Sequence, residues 1–113
     1  MKRYLISFNE GTMIIPEGQF EAVSDASHAV VREAKAAGVW IFGAGMLDST
    51  GTTVVRPDGS STDGPASGVK DFLGGFSIVE VESREEALVW AAKIAEACGC
   101  DQDVREMGYD LES

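Results

Sequence analysis

Tyr4, Ile6 and Phe8 alternate with Arg3, Leu5 and Ser7, the period-two pattern of a strand with one strongly apolar face. Asn9 to Val23 has no such period and contains Gly11, Pro16 and Gly18, so it reads as a connecting loop with a short turn, in which Met13, Ile14 and Ile15 could pack down locally. From Ser24 or Asp25 as N-cap, Ala26, Val30, Ala34 and Ala37 recur at helical spacing up to Gly38, a residue suited to the left-handed position after a helix. Val39 to Leu47 is apolar on both alternating sides: Val39, Ile41 and Leu47 on one, Trp40, Phe42, Ala44 and Met46 on the other. A strand of that kind needs cover on both faces.

Ser49-Thr50-Gly51 is turn chemistry and Thr52 to Arg56 is a short β-branched strand, which predicts a hairpin over residues 39–56 that ends at Pro57-Asp58-Gly59. A polar stretch then runs to Asp71, longer than small domains usually carry without a function. Leu73 to Val81 is the next strand. Ser83-Arg84-Glu85-Glu86 spells a capping box, and Ala87, Leu88, Ala91, Ile94, Ala95 and Cys98 trace the stripe of a second helix. Asp103 to Tyr109 closes with a last strand.

This order predicts an α+β domain of the ferredoxin-like, split βαβ kind with an extra hairpin strand. Two helices cover only one face of such a sheet. The other face would leave Trp40, Phe42 and Met46 in water, forfeiting about 1.5–3 kcal/mol for each side chain, so a homodimer with facing sheets is expected.

The 113 residues, 44% of them apolar, suffice for the core of a single domain spanning 1–113. The formal charge of −10 repels phosphate backbones and anionic lipid, which argues against nucleic acid or a membrane as partner. No apolar run approaches the ~20 residues of a membrane span, and no apolar leader precedes Tyr4, so a soluble, cytoplasmic protein is expected. Cys98 and Cys100, with one histidine in the whole chain, supply too few ligands for a closed zinc site; they read as small thiols in a reducing compartment. No P-loop, dinucleotide fingerprint, nucleophile elbow or H-E-x-x-H occurs, and no cofactor or metal is expected. Gly43-Ala44-Gly45 lies inside a strand, where close packing of sheet against helix explains it.

Thr62-Asp63-Gly64-Pro65 and Lys70-Asp71-Phe72-Leu73-Gly74-Gly75-Phe76 join a turn to the mouth of a strand whose missing side chains let a backbone or ligand approach. With Ala36 to Val39, Thr52 to Arg56, Glu86 to Ala91 and Asp103 to Arg105, these blocks resemble the YCII-related family, in its DGPF-domain branch. The resemblance implies a dimeric α+β barrel, bacterial and cytoplasmic, akin in fold to muconolactone isomerases. Relatives include a dehalogenating or lactone-processing enzyme and companions of extracytoplasmic-function sigma factors. The chain departs from the branch at Ala66, where the family has Phe, and at Gly68-Val69, where it has Glu-Thr. The wider family also carries a histidine on its first helix. His28 lies one residue from that position, a rotation of about 100°.

Two catalytic candidates follow. Asp63 sits in the motif, either as a base or as the Asx-turn that shapes Gly64 and Pro65. His28 has a pKa suited to proton transfer, or it is a solvated residue beside Arg32 and Lys35. For ligand binding, Arg56 and Arg105 lie on predicted strands and could clasp a carboxylate with a bidentate fork. Lys70 and Asp48 stand near the same end, with an exposed ion pair to Asp71 and a turn-forming role as their alternatives. The function expected is a cofactor-free lyase or isomerase acting on an organic acid by general acid–base catalysis. Its alternative is a non-enzymatic dimeric module that binds a metabolite or protein in regulation.

Overall fold

The alternation at the N-terminus is obeyed residue by residue. The computed structural model describes residues 1–66, 68 and 70–113, and in it β1 (Lys2–Asn9) buries Tyr4 and Ile6 completely. After it come α1 (Phe20–Ala36), β2 (Trp40–Gly45), β3 (Thr53–Val55), β4 (Ser61–Asp63), β5 (Leu73–Val81), α2 (Arg84–Cys98) and β6 (Asp103–Glu106). Four strands form one antiparallel sheet in the order β2-β5-β1-β6, with both helices on the face of Tyr4 and Ile6. This is the ferredoxin-like α+β arrangement. Val69, in the polar stretch before β5, lies outside the described residues.

The helices seal that face. Val79 and Val81 of β5 meet Ala34 of α1 and Ala87, Trp90 and Ala91 of α2, with Val30, Trp40, Ile94 and Val104 packed around them. The α2 stripe therefore runs through Trp90 and leaves Leu88 exposed, because i and i+3 share a face as well as i and i+4. On α1 the inward residues are Val30 and Ala34, whereas Ala26 and Ala37 are exposed.

Each helix end has a local cause. Pro16 to Gln19 forms a turn in which the Gln19 N–H donates to the Pro16 carbonyl over 3.0 Å, and α1 starts directly after it. The helix thus begins before the expected Ser24 or Asp25 cap. Ser24, instead of capping, places its hydroxyl 3.4 Å from His28 Nδ1. At the other end Gly38, with φ +75°, lets its N–H reach Lys35 and that of Val39 reach Ala34 at 3.0 and 3.1 Å, the paired bonds of a Schellman stop. The second cap is as predicted on its Ser83 side, whose Oγ accepts from the Glu86 N–H at 3.3 Å. The Glu86 carboxylate closes instead on the Glu82 N–H at 3.2 Å.

Four expectations about the strands are corrected. β2 does not pair with the segment after it: residues 39–56 form no hairpin, β2 pairs with β5, and β3 pairs with β4 in a separate ribbon. Pro57-Asp58-Gly59 is the tip of that ribbon, where the Arg56 N–H meets the Ser60 carbonyl at 2.8 Å. The polar stretch thus contains a strand, and the last strand stops at Glu106 instead of Tyr109. Finally, a register shift between Trp40 and Phe42 puts these two side chains on opposite faces. Trp40 aligns with Val79 on the helix side, and Phe42 aligns with Ile78 on the other.

Candidate functional site

The face without helices is a grid whose chemistry changes from one edge to the other. Cross-strand partners project to the same side of a sheet. One row reads Phe42, Ile78, Leu5, Arg105, and the next reads Ala44, Phe76, Ser7, Asp103. The apolar end is centred on Phe42 and Phe76, whose rings stand 5.9 Å apart with planes tilted by 49°. Phe42 is 56% exposed. At the charged end Arg105 and Asp103 sit two residues apart on β6, hence about 7 Å apart along the strand. A third row carries Arg3 and Glu80, whose Nε and Oε2 lie 2.7 Å apart. Such a surface offers a flat apolar floor, a guanidinium fork for an anionic oxygen, and a carboxylate and a hydroxyl beside it.

Of the residues singled out in the sequence, Arg105 belongs to this face. His28 does not, because it is exposed on α1, in the layer on the opposite side of the sheet from Arg105. Asp63 and Arg56 both lie on the β3–β4 ribbon but on its opposite faces, Asp63 across from Thr53 and Arg56 on the side of Val54 and Thr62. Thr53 Oγ1 donates to Asp63 Oδ1 at 3.3 Å, and Arg56 Nη2 donates to Thr62 Oγ1 at 2.8 Å. Asp48 caps a short 3-10 turn over Ser49–Gly51. The Thr50 N–H donates to its Oδ1 at 2.9 Å, and that hydrogen bond holds the carboxyl below its ordinary range. Lys70 is exposed in the segment leading to β5. Ser7, Asp103, Phe42 and Phe76 were not marked as a site, although the Arg3, Leu5, Ser7 alternation already indicated a second face.

The glycines of the strand mouth serve the protein's own packing. A Cβ on Gly75 would fall 2.7 Å from the Phe8 ring, and one on Gly74 would fall 2.9 Å from the Glu10 amide nitrogen. Two clefts open at the ends of β6. One of about 450 Å³ is bordered by Asn9, Thr12, Cys100 and Asp103, and one of about 460 Å³ lies between Arg3, Glu80, Glu106 and the tail at Tyr109 and Leu111. Both cysteines are half-buried free thiols. Burial, and then the neighbouring Cys98, push the Cys100 thiol up, away from the thiolate a nucleophile needs. Among the described residues no group of three or more His, Cys, Asp and Glu side chains could hold a metal ion, and no helix is long and apolar enough to cross a membrane.

Fold and surface define a ferredoxin-like domain with one sheet face exposed to solvent and graded from aromatic to ionic. The chain matches the YCII-related domain over residues 4–107 and belongs to the YCII-related family. No curated protein matches it. Among solved structures it is similar to the 5-chloro-2-hydroxyhydroquinone dehydrochlorinase TftG of Burkholderia phenoliruptrix AC1100, in complex with 2,5-dihydroxybenzoquinone. That likeness has a TM-score of 0.51 and 19% identity and covers 97% of each chain; at that identity it supports the shared fold.

Proposed function

We propose that this protein binds a small planar organic acid or phenol on the open sheet face, in a cavity completed by a second copy of the chain. The observation that carries this reading is the grid itself: an aromatic floor at Phe42 and Phe76 grading into Arg105, Asp103 and Ser7. Arg105 would hold the carboxylate or phenolate oxygen with its fork. A carboxylate beside it, Asp103, would take a proton from the ring substituent, the step that starts the loss of an anionic leaving group in a lyase. The dehydrochlorinase named above, a protein of this fold, makes that class of reaction the one to test first.

A second copy is supported by area. The chain exposes 7951 Å², whereas a folded monomer of this mass exposes about 6,000 Å². The excess of about 2,000 Å² is what one subunit of an obligate dimer covers.

The experiment is a thermal melt against 2,5-dihydroxybenzoquinone and a panel of aromatic carboxylates. A ligand at about a hundred times its dissociation constant adds ~2.7 kcal/mol, a rise of about 10 °C for a domain of this size. The rise should vanish in Arg105→Ala. A panel without any shift, or a shift that Arg105→Ala leaves intact, would sink the proposal. Binding without turnover would select the regulatory module over the lyase.

A further inference from the structure

The β3–β4 ribbon is an arm with no place in its own subunit. Closed at its root by the Gly64 N–H on the Thr52 carbonyl at 2.7 Å, it forms, among the described residues, a two-stranded sheet apart from the main one. The subunit measures 44 × 44 × 19 Å. Its thinnest dimension is that of one sheet and one helix layer, so the arm extends sideways instead of folding over either face. The Cα radius of gyration is 15.9 Å, against about 13 Å for a compact chain of this length. Apolar side chains are exposed in the segment that leads to the arm, Leu47 at 94%, and next to the arm's tip, Val55 at 68%. On the face of Val55 the arm also carries Asp63, opposite in sign to Arg105 on the charged edge of the open face.

We infer that the arm reaches across to a second copy, laying Val55 against the partner's open face and bringing Asp63, on the same face of the ribbon as Val55, to the charged edge of the cavity there. Each ligand site is then composite, with floor and fork from one chain and the motif carboxylate from the other. This rests on the dimer proposed above and goes beyond it. Three features support the inference: the extra exposed area, the sideways extension, and the opposite charges of Asp63 and Arg105.

The test places a benzophenone label on Val55→Cys in a Cys98→Ala, Cys100→Ala background. Equal amounts of ¹⁴N and ¹⁵N chains are mixed, irradiated and digested, and crosslinked peptides are identified by mass. The expected result is mixed-isotope crosslinks joining the arm to peptides of β1 or β5. Sedimentation of the unlabelled wild type is run in parallel. A dimer whose arm crosslinks only within its own chain, or never to the sheet, overturns arm exchange while leaving the facing-sheet dimer standing. A monomer at all concentrations overturns both. Replacement of Thr53–Asp63 by Gly-Ser-Gly spares the main sheet and helices and should raise the dimer dissociation constant at least about tenfold. An unchanged constant would likewise reject the arm contact.

Discussion

Adding a single methyl group at Gly43 should destabilise the protein, and the structure sets the size of the loss. A Cβ there would lie 2.7 Å from Trp40 Cη2 and 2.8 Å from the Phe76 carbonyl oxygen. The tryptophan is packed against the core, and the carbonyl belongs to a strand in mid-sheet, so neither neighbour yields freely. Overpacking by one such group costs about 1–3 kcal/mol. Restricting the unfolded chain returns about 0.4–1 kcal/mol. Gly43→Ala should therefore lose about 1–2 kcal/mol, lowering the midpoint of thermal unfolding by about 5–10 °C. Gly45 is the internal control: it lies on the same strand and has nothing within 4 Å of its added Cβ, so Gly45→Ala should be neutral or slightly stabilising. Urea titrations followed by tryptophan fluorescence and circular dichroism measure both. Equal stability of Gly43→Ala and wild type, or equal losses in the two variants, would refute the account of Trp40 lying over Gly43.

Ser83→Ala removes the acceptor for the Glu86 N–H and should cost about 0.5–2 kcal/mol, read by urea unfolding of the helical signal. In the proposed facing-sheet dimer, Phe42→Asp puts a charge at the centre of the apolar floor and should leave a monomer in sedimentation. A dimer of undiminished strength would place the interface elsewhere. Tyr4 is buried beside Glu106, whose Oε1 accepts its hydroxyl at 3.3 Å; burial first, and then the carboxylate's charge, raise its pKa above 10.0. Its contribution is complete below the unfolded value and fades as pH rises through the folded one, so Tyr4→Phe should flatten the alkaline side of the stability curve. Asp48 works in the opposite direction. Its lowered pKa stabilises the fold above the ordinary value of 3.8 and stops doing so as pH falls through the folded value. Asp48→Asn should remove that acid-side loss in a circular-dichroism titration.

The strands of the main sheet were legible where the period was strict. β5 spans Leu73–Val81 as read, and β1 follows its two-residue alternation, because burial on one face fixes which residues point where. Pairing was less legible. The turn signals at Ser49–Gly51 and at Pro57–Gly59 are chemically alike, and only the second turns out to join two paired strands. Nor does a sequence announce a bulge: one irregular residue near Ile41 reverses the side on which Trp40 lies relative to Phe42. On the open face, Arg105 was legible as a charge on a strand. Asp103 and Ser7 escaped because short polar residues at strand ends resemble ordinary surface until the register sets them in one row.

The two outer strands have a consequence for how the molecule behaves in a crowded cell. β6 is four residues long and bears Asp103, Arg105 and Glu106. β2 is broken by its bulge and thinned by Gly43 and Gly45. Short, charged or irregular borders are poor templates for strand-to-strand growth, so fibril formation is disfavoured at both margins, and face-wise association is the contact the sheet leaves available.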